Sequence, residues 1–443
     1  MKKRSLAANL RKLWHDGLRR VFALFPQSIR FGVFRSFVDC DPAPDQRMVL
    51  KIAETREELE ACFKLLHDAY VSSGFMKPAP SGLRATIYHA LPTTTTLCAK
   101  FDGRVVGTLS LIRESVFGFP LQAIFNLEDV RARGGKIAEV SALAVHPDFR
   151  KTGGAILFPL MKFMYEYCTR FFDTRHLVIA VHPNKAELYE SLLLFKRLSE
   201  NTVAKYDFAN GAPAVGAVLD LQRAPRKYKE IYDSKPQRKN LYDYFVRTKL
   251  PNIVLPQRRY HTTNDPVMTT ELLDYFFNQR TQAFEHLTPR EKLLLQSIYD
   301  LPAYQKILPQ ITDPPKSGVE MRQHQRYSIK CPGKFTMLAA GKTRTATLQV
   351  VELSISGFLA HASTELALRV WGEATIDLGN AEQSIVRAMA VGSRKASSRK
   401  ADGKVFHAFM LQEPDAAWRK FVGALTGGVT HEDLENATRF MAE

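Results

Sequence analysis

Apolar positions along this chain change their period several times, and each change marks an element. Between Lys136 and Val145 they run almost unbroken, Pro147 stops them, and after Gly153-Gly154 they resume over a helix-length stretch from Ala155 to Phe172. The order is strand, tight loop, helix. Pro159, early in that helix, removes one backbone bond. Upstream, Thr55-Arg56-Glu57-Glu58 has the form of a capping box ahead of Leu59, Cys62, Phe63, Leu66 and Tyr70 at helical spacing. Leu97 to Phe101 and Val105 to Arg113 flank Asp102-Gly103 as a hairpin. Leu177 to Val181 is a further strand, and Val203 to Phe208 with Ala214 to Leu221, split by Asn210-Gly211, reads as a closing hairpin. Helices are predicted over Glu271 to Phe284 and from the N-cap sequence Thr288-Pro289-Arg290-Glu291. Past the linker Asp313-Pro314-Pro315-Lys316-Ser317-Gly318, short strands rich in Val, Ile, Thr and Phe predict a small barrel.

Three stretches carry two readings each. Residues 8–25 place Leu10, Leu13, Trp14, Leu18 and Phe22 on one helical face and Arg11, Lys12, Arg19 and Arg20 on the other. This is an interfacial helix on anionic lipid or an apolar face packed on the following domain. The long connection from Ser115 to Lys136 holds Phe117, Phe119, Leu121, Ile124 and Phe125, which line a pocket for an apolar chain or pack against the sheet. Residues 226–260 contain ten Lys/Arg against three Asp/Glu, interleaved with Tyr228, Tyr232, Tyr242, Tyr244 and Tyr260. They form a docking surface for an acidic partner or a solvated linker with one short helix.

Composition bounds the rest. A chain of 443 residues with 45% hydrophobic content holds two or three domains with real cores. The excess of 62 Lys/Arg over 45 Asp/Glu, net +17, calls for an anionic partner. No nucleic-acid motif accompanies it, so no nucleic acid polymer is expected. The cysteines at 40, 62, 98, 168 and 331 have no metal or disulfide spacing, which predicts buried free thiols in the cytoplasm and no metal. No apolar run is long enough to span a bilayer. The segmentation is a basic amphipathic segment (1–47), an α/β domain (48–225), a basic helical extension (226–312), a linker (313–320), a barrel (321–427) and a C-terminal helix (428–443).

A glycine loop between strand and helix exposes backbone N–H groups where the helix dipole favours negative charge, which is a phosphate seat. The spacing Arg150-x-x-Gly153-x-Ala155 resembles the pyrophosphate-binding signature of the GNAT acyltransferase superfamily, and His182-Pro183-Asn184 with Tyr189 and Leu193-Leu194-Phe195 is similar to the end of that fold. Leu194 stands where the family often has Gly. Glu139-Val140-Ser141, the loop Gly118-Phe119-Pro120-Leu121 and the segment Asn126 to Lys136 more closely resemble the long-chain N-acyl amino acid synthases, related to acyl-homoserine lactone synthases, over about residues 50 to 310. Those relatives often carry Arg after the Ser, where this chain has Ala142.

The resemblance implies an α/β GNAT fold and transfer of a long-chain acyl group from phosphopantetheine, on acyl carrier protein or CoA, to the amine of an amino acid. Arg150, Lys151, Thr152, Gly153, Gly154 and Ala155 would seat the donor, and backbone N–H groups around Ala144 and Val145, at the expected strand bulge, would hold its amide or the oxyanion. Glu139 is the only carboxylate in an apolar strand, so burial would raise its pKa toward that of a general base; the other reading is a buried acid satisfied by a structural partner. Tyr189 occupies the position from which the family protonates the leaving thiolate, and ring packing is its other reading. His146 and His182, each before Pro, read as turn residues.

In the C-terminal region Arg322-Gln323-His324-Gln325-Arg326 precedes the first strand and Glu352-Leu353-Ser354-Ile355-Ser356-Gly357 follows it. The pair resembles the PilZ domain, which implies cyclic di-GMP held by Arg322 and Arg326 with Glu352, Ser354 and Gly357 at the rim, over about residues 320 to 425. Family members have Asp or Asn where Glu352 stands. Two other activities compete with N-acyl amino acid synthesis: acetyl-CoA-dependent N-acetylation, and a cyclic di-GMP effector whose transferase half is an interaction module. The expected location is cytoplasmic, with peripheral contact to the inner membrane through residues 8–25.

Overall fold

The computed structural model describes residues 24–150, 152–172, 174–256, 267–299, 302–311, 326–339, 341–379, 382–395 and 405–427. The proposed helix at 8–25 lies all but wholly outside them, and the linker 313–320, Tyr260, Lys151, Arg322 and the helix expected at 428–443 lie outside them altogether.

The chain enters through α1 (Gln27–Ser36) and builds one mixed eight-stranded sheet. Its strands are β1 (Met48–Ile52), β2 (Thr94–Phe101), β3 (Arg104–Arg113), β4 (Lys136–Val145), β5 (Thr174–Val181), β6 (Lys196–Arg197), β7 (Val203–Tyr206) and β8 (Ala212–Asp220), in the order β1-β2-β3-β4-β5-β8-β6 with β7 paired to β8. Only β4 and β5 are parallel, joined by α4 (Leu157–Arg170), which follows α2 (Arg56–Ser72) and the single-turn α3 (Glu128–Ala132). The β2–β3 hairpin turns at Asp102 and Gly103, both at positive φ as a tight two-residue turn demands.

Thr55 caps α2 by accepting from the Glu58 amide at 3.2 Å, but the expected capping box closes only halfway. The Glu58 carboxylate turns instead to Lys100 (2.7 Å) and Lys51 (3.0 Å). Burial pushes its pKa up, yet these hydrogen bonds outweigh it and hold the carboxyl at about 2. One core lies between the sheet and α4, with Leu97, Leu109, Leu160, Phe163, Tyr167 and Leu177 at its centre.

Residues 226–256 are not a solvated linker, and the surface they present is basic rather than aromatic. Tyr228, Tyr232 and Tyr244 are almost fully buried in that core, with Tyr228 and Tyr232 on the helix α6 (Ala224–Tyr232), and their hydroxyls, where paired, bond to carbonyls of Ser191, Leu192 and Leu193. The lysines and arginines between them face outward, because a long charged side chain keeps its head in water. Arg238 bonds to Asp39 at 2.7 Å and Asp41 at 3.1 Å.

The next helix begins as α7 (Thr270–Leu273) and widens into a π-type turn over Asp274–Arg280, ending short of Phe284. α8 (Pro289–Ile298) starts with a complete Thr288/Glu291 capping box, and α9 (Pro302–Gln305) follows. Phe276, Phe277, Leu295 and Tyr299 pack against Phe63 and Leu66 of α2, so this region rests on the transferase sheet.

The C-terminal strands β9 (Tyr327–Ala339), β10 (Lys342–Ser354), β11 (Gly357–Ala362), β12 (Trp371–Gly379), β13 (Glu382–Lys395) and β14 (Val405–Leu411) close into an antiparallel barrel, β10-β11-β14-β13-β12-β9. Helix α10 (Ala416–Gly427) plugs one end by burying Trp418, whose Nε1 donates to the Ser354 carbonyl at 2.9 Å.

Candidate active site

β4 and β5 pair only from Lys136↔Thr174 to Glu139↔Val178, and beyond that point they part. On its other edge β4 bulges: Thr108 pairs with Ala144 and Ser110 with Ser141, leaving Ala142 and Leu143 opposite Leu109. Ala142 takes φ +55°, which re-aims the strand. The expected bulge at Ala144 and Val145 therefore falls two residues earlier, and those two are regular partners of Thr108 and Gly107.

The gap between the strands is a cavity of about 480 Å³ with a mostly apolar wall. Residues 139–143 of β4 and 179–181 of β5 line it, with Met161, Met164, Tyr189 and Phe195. Such a volume and lining suit a small organic group or acyl chain. Phe119, Leu121 and Phe125 are instead buried against Ile112, Ile137 and Val178, so the 115–136 connection packs on the sheet.

That connection supplies one polar contact, the Leu121 N–H, which donates to Glu139 Oε2 at 3.0 Å. Glu139 is 2% exposed and lines the cavity. Burial raises its pKa to about 8, against the lowering effect of that single N–H. Such a carboxyl is mostly protonated at neutral pH, and the carboxylate that forms as pH passes about 8 is a stronger proton acceptor than an ordinary one. Tyr189, on α5 (Pro183–Leu192), also lines the cavity, and burial pushes its phenol up to about 12. Its ring meets Phe195 edge to face at 6.1 Å, so the packing role is filled as well.

After β4 the chain makes the expected loop. Arg150 Nε donates to the Val145 carbonyl at 2.8 Å and Thr152 Oγ1 to the Phe149 carbonyl at 2.7 Å, which fixes the turn. Gly153 and Gly154 have φ +66° and +98°, and a Cβ on Gly154 would meet the Phe158 ring at 2.6 Å. The amides of Gly153 and Gly154 have no acceptor among the described residues, as a phosphate seat requires. Ala155 N–H is engaged with the Thr152 carbonyl. His146 and His182 cap the helical turns after them through Nδ1, at 3.4 Å to Asp148 N and 3.2 Å to Asn184 N. Leu194 takes the left-handed φ of +61°, where glycine is the least strained residue.

Sequence reasoning missed Tyr206, Tyr70 and Phe208, which wall the cavity from the side opposite α4. Tyr70 comes from the end of α2, Tyr206 from the end of β7 and Phe208 from the β7–β8 connection, and only folding brings them together.

In the barrel, Ser354 is nearly buried and donates to the Gly357 carbonyl at 3.2 Å, closing the β10–β11 turn. A Cβ on Gly357 would strike the Phe409 carbonyl oxygen of β14 at 2.3 Å. Glu352 lies between Arg326 (3.9 Å) and Lys136 (3.3 Å), the first residue of β4, so it joins the barrel to the transferase sheet.

Residues 61–220, the segment that builds this site, match the family model described as N-acyl amino acid synthase FeeM. Among solved structures, FeeM from uncultured soil microbes is 24% identical, over 41% of this chain and 94% of that one, with a TM-score of 0.34. A CoA-dependent acyl-homoserine lactone synthase, BjaI, with SAM and isopentyl-CoA is 20% identical over 48% and 95%, TM-score 0.35, and the AHL synthase LasI is 14% identical over 48% and 98%, TM-score 0.32. No curated protein matches. By the family match over residues 61–220, the chain is an N-acyltransferase. No helix among the described residues is long and apolar enough to cross a membrane.

Proposed function

We propose that this enzyme joins a long-chain acyl group, delivered as a phosphopantetheine thioester on acyl carrier protein, to the amine of an amino acid. The observation that carries the reading is Glu139: a buried carboxyl of raised pKa on the wall of an apolar cavity, where two parting strands leave room for an acyl chain. The amine nitrogen attacks the thioester carbonyl and gives its proton to Glu139; the C–N bond forms, the C–S bond breaks, and Tyr189 donates a proton to the departing thiolate. Unpaired N–H groups of the Gly153-Gly154 turn would seat the donor's phosphate.

Carrier protein is preferred to CoA as donor because Lys229, Lys235 and Arg238 of one basic stretch are exposed, and Arg238 is tied to that seat through Asp39. Arg238 holds Asp39, whose carboxylate lies within 3.5 Å of where a Gly153 Cβ would stand. An acidic carrier surface would be steered there. Cyclic di-GMP is proposed to bind at the barrel rim through Arg322 and Arg326 and to act on the transferase through Glu352 and Lys136. Residues 8–25 are proposed to touch an anionic membrane, where a lipid product would be released. The test is expression in a bacterium followed by mass spectrometry of the organic extract. Long-chain N-acyl amino acids from the wild type and none from Glu139→Gln support the reading; acetylated products alone, or none at all from folded protein, overturn it.

A further inference from the structure

The cavity has a polar corner that the transfer chemistry does not use. Tyr206, 5% exposed, lines the cavity, and its hydroxyl is buried with no hydrogen-bond partner among the described residues. A buried donor without a partner is costly, and in a binding site it marks where a ligand atom belongs. Beside it stands Arg84. Its Cζ lies 4.0 Å from the centre of the Tyr70 ring and 4.9 Å from that of Phe208, two rings that also line the cavity. Nη2 donates to the Phe208 carbonyl at 2.9 Å, and no carboxylate among the described residues pairs with the guanidinium. Burial lowers the Arg84 pKa, so this cation is desolvated without an anion to offset the cost. The Tyr206 ring lies 5.8 Å from the Phe208 ring on which Arg84 stacks, so the guanidinium stands just behind the wall that Tyr70, Tyr206 and Phe208 give the cavity, and Glu139 lines the same cavity.

We infer that Arg84 and Tyr206 form a carboxylate-binding subsite that holds the acceptor amino acid by its carboxyl group and turns its nitrogen toward Glu139. This rests on the N-acyl amino acid reading. An α-amino acid carries its two opposite charges on one carbon, and the corner offers a cation and a proton acceptor on either side of a phenol. A plain amine would leave Arg84 uncompensated, so the subsite selects amino acids over amines that lack a carboxyl. A guanidinium already stacked on two rings has little freedom left to lose when it binds an anion. Arg84 and Tyr206 are positioning residues: they act on the acceptor, while Glu139 takes the proton.

The test is calorimetric titration of the full chain with N-dodecanoylglycine and with N-dodecanoylglycinamide, which differ only in the carboxylate. Wild type is expected to bind the acid about 10- to 100-fold more tightly than the amide. Arg84→Gln should bring the two within about 2-fold by weakening the acid alone, Arg84→Lys should restore part of the preference, and Tyr206→Phe should reduce it several-fold. Equal binding of both probes by wild type, or an acid preference that survives in Arg84→Gln and Tyr206→Phe, overturns the subsite. If Arg84→Gln does not fold, Tyr206→Phe decides, since its hydroxyl bonds nothing among the described residues. Failure of the transfer reading shows separately, as absence of turnover by wild type with every amine acceptor.

Discussion

Glu139 was legible in the sequence because an acid alone in an apolar strand has few fates, and burial in this structure gives it a raised pKa of about 8. A pH dependence of stability follows. The folded pKa lies above the unfolded one, so the folded state holds more protons between pH 4.5 and about 8 and loses stability as pH rises through that window. Glu139→Gln, which cannot ionise, should therefore gain on the wild type as pH is raised from 5 to 9; thermal melts that shift in parallel for the two proteins would contradict the burial. For Tyr189→Phe the expected outcome is a fall in turnover of about 100-fold with little change in melting temperature, checked by thiol-release kinetics. Tyr206 and Arg84 were not legible: nothing in their local sequence differs from a strand residue and a loop residue, and their meaning comes from packing between chain segments far apart.

At the scale of elements, local signals served well where local physics decides. The Asp102-Gly103 hairpin, the Thr288/Glu291 box and the strand-loop-helix at 136–170 all formed where turn, cap and period placed them. They served less well where distant partners compete. Glu58 left its expected cap for Lys51 and Lys100, the bulge on β4 was set by its register with β3, and Tyr228, Tyr232 and Tyr244 were drawn into the core behind α4. The phosphate loop offers a direct check. Gly154→Val adds a Cβ where φ is +98° and the Phe158 ring is 2.6 Å away, so the loop must shift. The Michaelis constant for the acyl donor should rise at least about tenfold while that for the acceptor stays near the wild-type value; an unchanged donor constant would mean the loop does not hold the donor.

For the whole molecule, the net charge of +17 pointed to an anionic partner without choosing one. In the fold Arg226, Lys229, Lys235, Arg238 and Lys239 are exposed, and Arg238 pairs with Asp39 beside Gly153. Lys229→Glu with Lys235→Glu should raise the Michaelis constant for acyl carrier protein several-fold more than that for the matching acyl-CoA, because only the protein donor presents an extended acidic face. Equal effects on both donors would remove the docking surface from the account. The bridge from Glu352 to Lys136, invisible in the sequence because it joins residues of two domains, gives the barrel a handle on the strand that carries Glu139. Calorimetry on the full chain is expected to detect cyclic di-GMP and to lose it in Arg326→Ala, with folded barrel retained; no heat from the wild type would leave the barrel as a contact module.

The central claim is that Glu139 takes the proton from the acceptor amine, and its most direct test is the pH dependence of kcat/KM for one amino acid acceptor and one long-chain acyl thioester. The acceptor's own ionisation is common to wild type and variant, so any difference between the profiles belongs to residue 139. The wild type should gain rate as pH passes about 8, where the Glu139 carboxyl ionises. Glu139→Gln should be slower by about two to four orders of magnitude and lack that step. A Glu139→Gln enzyme within a few-fold of wild type, or one with the same inflection near pH 8, would contradict the account.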